Sequence, residues 1–192
     1  LSLFLFIFLP AAIVGLIKPL TASYFVRNLS EGLVRVIILL AYMKLCTCVS
    51  DVKRLFSYHG AEHKTIFCYE HGKELTVENV REESRFHPRC GTSFLLVVVV
   101  VSILVNSVVR LDNSFARMGC HLLLLPIVVG ISYEINRWCG LHDNWLSAAL
   151  SAPGKWLQHL TTNEPDDSMI ECAIRALELV IPDEKGSDEW GK

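Results

Sequence analysis

The stretch Phe94-Leu95-Leu96-Val97-Val98-Val99-Val100-Val101-Ser102-Ile103-Leu104-Val105 decides the fold, because Ser102 is its only polar residue. Carried outward to Thr92 and Val109 it has 18 residues. At about 1.5 Å per residue that is a helix of about 27 Å, close to the hydrocarbon thickness of a bilayer. Three other stretches read as spans beside it. Leu1 to Ile17 is interrupted by Pro10, which a membrane helix tolerates as a kink. Gly32 to Val49 carries Arg35 and Lys44 near its ends, where long cationic side chains can snorkel. His121 to Ile135 is short for a span and has Glu134 near its end. The expectation is an all-α, multi-span membrane protein forming one domain over 1–182. A soluble protein with two buried helices is the competing reading, and the length and purity of the third span argue against it.

Composition agrees. Of 192 residues 52% are hydrophobic and 20% charged, with net charge −2; the mean hydropathy is +0.38 and the pI near 6.4. So much Leu, Ile, Val and Phe excludes disorder, and the acid–base balance argues against a nucleic-acid surface. Seven cysteines without a paired pattern read as reduced thiols facing a cytosol. The chain opens at Leu1, with neither a basic region before its apolar start nor a cleavage site after it. That start is read as a truncated span in a fragment, not as a signal peptide.

Charge orients the spans. The loop 51–91 holds seven basic residues, the hairpin between the third and fourth spans only Arg110 and Arg117, and the tail five more. The positive-inside rule places loop and tail in the cytosol of a multi-pass inner-membrane protein. In the tail, Leu141 to Leu160 carries Trp145 and Trp156 and reads as a helix lying in the membrane interface, broken in two by Pro153-Gly154. Asn163 then reads as the cap of an amphipathic helix that Pro182 ends, so 141–181 is expected to be helical, with 183–192 disordered.

The chemistry concentrates in Tyr58-His59-Gly60-Ala61-Glu62-His63. On a helix His59 and His63 share one face, and the H-x-x-E-H order is the inverted zincin motif. Two neutral imidazoles suit Zn²⁺, and Glu62 is placed to take a proton as general base. Gly60 weakens the helix and is the local argument against it. A third ligand is expected from Glu134, at the end of the fourth span, slightly ahead of His87 or Cys90 in His87-Pro88-Arg89-Cys90-Gly91. The alternative for Glu134 is an i,i+3 ion pair with Arg137; for Cys90 it is packing in a tight turn.

The motifs Tyr58-His59-Gly60-Ala61-Glu62-His63-Lys64-Thr65, Glu74-Leu75-Thr76-Val77-Glu78-Asn79-Val80 and His87-Pro88-Arg89-Cys90-Gly91-Thr92-Ser93-Phe94 resemble the YqhQ family of bacterial membrane proteins. So do Gly130-Ile131-Ser132-Tyr133-Glu134, Leu150-Ser151-Ala152-Pro153-Gly154 and the stretch from Leu160 to Glu171. The resemblance implies a metal-dependent enzyme and nothing about its substrate. The expectation is therefore a Zn²⁺ hydrolase at the cytosolic membrane surface, acting on a membrane-associated peptide or lipid. The rival is a non-catalytic scaffold whose metal staples the loop to the spans, in a site closed by four protein ligands.

Overall fold

The computed structural model describes residues 4–17, 23–111, 113–142 and 144–182. The tail expected to be disordered lies outside them, as do the first three residues of the first expected span. Among the described residues the chain is all-helical. A π-helical turn, Phe4–Phe8, leads into α1 (Leu9–Gly15), followed by α2 (Tyr24–Cys46), α3 (Ser50–Glu70), α4 (Val77–Glu82), α5 (Gly91–Ser107), α6 (Ser114–Leu141), α7 (Trp145–Thr161) and α8 (Asp167–Glu178). Among the described residues one helix, Phe115–Leu141, is long and apolar enough to cross a membrane, and a second crossing requires α2 and α3 to count as one broken span; the expected first and third spans are shorter apolar helices, Phe4–Gly15 and Gly91–Ser107, so four spans are not seen. The helices divide into two compact units.

The first unit holds residues 1–44 and 94–137. Its helix α2 begins well before the expected Gly32, and α6 extends beyond the expected His121–Ile135 at both ends, carrying Pro126 inside it. Gly32 lets α2 approach α5 closely, since a Cβ there would sit 2.4 Å from Ile103 Cγ1. Asn28 donates from Nδ2 to the carbonyls of Asn106 (2.8 Å) and Val109 (3.0 Å), tying α2 to the end of α5. Arg117 of α6 pairs with Glu31 of α2 at 3.3 Å, both buried. The outward faces are apolar: Leu33, Leu104 and Leu123 are 60%, 64% and 81% exposed. Inside, paired polar residues sit among buried aliphatics such as Val14, Leu39 and Val128, and the large aliphatic side chains left facing outward suit a hydrocarbon surround.

The second unit holds residues 45–93 and 138–192. Its core is Ala61 and Cys68 of α3, Val80 of α4, and Ile170 and Ile174 of α8. Caps define the helix starts. Thr76 accepts from the Asn79 amide before α4, Asn144 and Ser147 form a capping box on α7, and Asp166 accepts from the Met169 amide at 2.9 Å before α8. The last corrects the expected cap at Asn163. That residue is used otherwise: its amide donates to Phe56 O (2.9 Å) and its Nδ2 to Lys53 O (3.1 Å), locking the α7–α8 connection onto α3. Helix α7 also runs through Pro153-Gly154 without the expected break. Gly154 is pressed against Ser93, where a Cβ would lie 2.6 Å from the serine Cβ, and this packing holds the helix together across the lost proline hydrogen bond.

Candidate metal centre

Helix α3 carries the H-x-x-E-H residues as one continuous segment, Gly60 included. The glycine has a packing reason. A Cβ on residue 60 would lie 2.1 Å from the carbonyl oxygen of Asn163, so the close approach of 161–163 to α3 requires its absence. That approach serves His59. Its Nδ1 lies 2.9 Å from Thr161 O, and a carbonyl can only accept, so Nδ1 carries the hydrogen. His63 has the same arrangement, with Nδ1 2.6 Å from Arg85 O. Each Nε2 is thereby left with its lone pair when the ring is neutral, the form in which imidazole binds a metal.

Cys90 completes the group. Its Sγ is 3.2 Å from His59 Nε2, and the ligand atoms of His59, His63 and Cys90 all lie within 4.8 Å of one another. Tetrahedral ligation at Zn–N near 2.0–2.1 Å and Zn–S near 2.3 Å sets ligand atoms about 3–4 Å apart, so small side-chain rotations would close the set. Burial pushes the Cys90 thiol up, but hydrogen bonds with His59, His63 and Thr92 outweigh it and bring the pKa down to about 5. The ligating form is thus the thiolate at neutral pH. His59 is raised in turn, chiefly by its hydrogen bond to Cys90, against the opposing effect of burial. Two oriented imidazoles and a thiolate are a donor set that fits Zn²⁺.

The segment bearing Cys90 is fixed from α7. Gln158, fully buried, accepts from the His87 amide at 2.8 Å and donates to His87 O (2.7 Å) and Ser93 Oγ (2.8 Å). Arg85 donates to the Thr162 carbonyl and pairs with Glu164 at 3.2 Å. Nothing in residue type announced Thr161 and Arg85, which act through backbone carbonyls. Gln158 had a signal that went unread: it is a polar residue on the face of α7 that carries Leu157 and Thr161.

The other candidates are placed differently. His87 is buried beside the group, its ring centroid 5.8 Å from that of His63, but both its nitrogens are engaged. Nδ1 accepts from the Arg89 amide at 3.2 Å and Nε2 faces Glu70 at 3.3 Å. Glu62 is exposed on the flank of α3 and lines a groove with Tyr58, Ile66 and Leu177; its charge is one of those that raise His59. Glu134 belongs to the first unit, where it is exposed and pairs with Arg137 at 3.7 Å, the i,i+3 alternative noted from the sequence.

Comparison with known proteins gives a family and no activity. The model of a family described as "Protein of unknown function (DUF1385)" matches residues 1–183. The chain is 38% identical over 181 residues to the uncharacterized protein YqhQ of Bacillus subtilis (strain 168), covering 94% of this chain and 57% of that protein. The chain thus spans little more than half the length of that relative. No solved structure matches.

Proposed function

We propose, from the premise that this chain belongs to the DUF1385 family, that it is a membrane protein with a Zn²⁺ centre at His59, His63 and Cys90 and hydrolytic activity at the membrane surface. The observation that carries the reading is the meeting of three donor atoms within 4.8 Å, from residues up to 31 positions apart, with both imidazoles already oriented by backbone carbonyls. Zn²⁺ bound there would supply Lewis acidity and an activated water. Three protein donors come together among the described residues, which supports a centre with an open position over a staple closed by four.

Glu62 is the general base in this reading. At about 100° per residue its carboxylate lies beside the histidine face and not within it, and its exposure leaves it free to accept and release a proton. The basic residues of loop 51–91 support a centre that faces the cytosol at an inner membrane. Helix α7, which contributes Thr161 and Gln158 to the centre, turns Trp145 and Trp156 outward, so an amide or ester of a membrane-associated peptide or lipid is the substrate class. Glu62→Gln should leave bound metal and melting temperature unchanged while turnover of such substrates falls by about 10²–10⁴. Loss of metal in that variant would make Glu62 a ligand and remove the open catalytic position.

One contact favours a second reading. A thiolate 3.2 Å from an imidazole, just before the first turn of α5, is also the arrangement of a nucleophilic cysteine with its base. Chelation separates the two: it abolishes turnover that depends on Zn²⁺ and spares turnover that depends only on Cys90 and His59.

A further inference from the structure

Beside the centre, on the other flank of α7, the second unit contains a cavity of about 270 Å³. Its walls are the last turn of α6 (Cys139, Gly140, Leu141), Pro88-Arg89, and the α7 residues Ser147, Ser151 and Lys155, with His142 between the helices. Two cations, a histidine and Ser151 line this space, the Ser147 hydroxyl being held in the α7 cap by the His142 and Asn144 carbonyls, and no carboxylate among the described residues lines it. Arg89 is paired with Glu70, whereas Lys155 has no ion-pair partner among the described residues. Such a lining favours an anion with several oxygen acceptors.

Its setting says where the anion comes from. One wall of the cavity is the last turn of α6, which among the described residues is a helix long and apolar enough to cross a membrane. At about 100° per residue, Trp145, Ala149, Ala152 and Trp156 fall on one narrow outward arc of α7. The two tryptophans are 81% and 56% exposed. Ser151 and Lys155 lie on the flank between that arc and the buried face of Ser147, Gly154 and Gln158. Trp138, at the end of α6, stacks on His142 with ring centroids 4.7 Å apart. Aromatic residues gathered at the end of a spanning helix mark the headgroup level of a bilayer, and a helix with an apolar outward arc and a cationic flank lies at the same depth.

We propose that this cavity holds the phosphate of an anionic phospholipid headgroup, with Arg89 and Lys155 as its cationic partners. The proposal rests on the membrane reading of α6 and α7 and is independent of the metal. Since Arg89 is followed directly by Cys90, a lipid seated here is held next to the proposed hydrolytic centre.

The test uses the full chain purified in neutral detergent, titrated with phosphatidylglycerol or phosphatidylcholine and read by native mass spectrometry. The wild type should retain phosphatidylglycerol several-fold better than phosphatidylcholine. Lys155→Gln should lower phosphatidylglycerol retention roughly fivefold, the weight of one cation near an anionic membrane surface, and leave phosphatidylcholine unchanged. Ser151→Leu, which fills the cavity while leaving both cations in the sequence, should lower it as well, with an unchanged melting temperature as the control for folding. Equal retention of the two lipids, or wild-type selectivity in both variants, overturns the proposal. Displacement of the lipid by millimolar inorganic phosphate also overturns it, by making the cavity a site for a free oxyanion. Chelating the metal should not alter lipid selectivity, so the metal reading and the lipid reading can each fail alone.

Discussion

Replacing Gly60 by alanine should destabilise the protein although it lies within a helix. In an exposed helix the change gains about 1 kcal/mol, because alanine loses less conformational freedom. Here the new Cβ would lie 2.1 Å from Asn163 O, a backbone atom that cannot swing aside as a side-chain tip could. Relieving that overlap costs about 3 kcal/mol, the upper end for overpacking. Displacing 161–163 also strains the Asn163 amide bond to Phe56 O, worth about 1 kcal/mol. The net is a loss of about 3 kcal/mol, which for a chain of this size lowers Tm by about 6–12 °C. The same displacement pulls Thr161 O away from His59 Nδ1 and should weaken metal binding. Thermal unfolding of the purified full chain, followed by circular dichroism with metal content measured alongside, reads both effects. A Gly60→Ala variant as stable as the wild type, or more so, would refute the close approach of 161–163 to α3.

Two further outcomes follow from the same unit. Gln158→Leu should cost about 2–4 kcal/mol in thermal unfolding and reduce retained metal, because it leaves the His87 amide and carbonyl buried without partners and frees the segment that positions Cys90. Stability should also fall in acid through Glu83, whose carboxyl is held below its ordinary 4.5 by its hydrogen bond with Lys73, against burial and with help from His71. A depressed carboxylate contributes fully above its unfolded value and loses that contribution as pH falls through its folded value; Lys73→Met should therefore move the acid unfolding midpoint to higher pH, and an unmoved midpoint would show that the pair contributes nothing.

Much of this was legible because it depends on local pattern. The aliphatic run from Phe94 to Val105 gives α5, and the four-residue spacing of His59 and His63 puts both rings on one face of α3. Cys90 was one of three candidate partners and the sequence leaned slightly to Glu134 instead, because the choice depends on how the segment before α5 docks on α7, which local pattern does not show. The carbonyls of Thr161 and Arg85 were invisible, since every residue has one and only the fold aims it. Gly60 and Pro153 were misleading for a related reason. Both read locally as helix breakers, yet tertiary contacts with Asn163 at the one and beside the other, between Gly154 and Ser93, decide the outcome. Asn163 likewise looked like a helix cap and is spent on α3 instead, which moves the start of α8 to Asp167.

The central claim is that His59, His63 and Cys90 bind one metal ion together, and the most direct measurement is the metal content of the purified full chain by inductively coupled plasma mass spectrometry. The wild type should carry about one equivalent of zinc, and His63→Ala and Cys90→Ser should each lose most of it while retaining their helical circular dichroism. A wild type without stoichiometric metal after reconstitution with Zn²⁺, or variants that bind as much as the wild type, would contradict the claim.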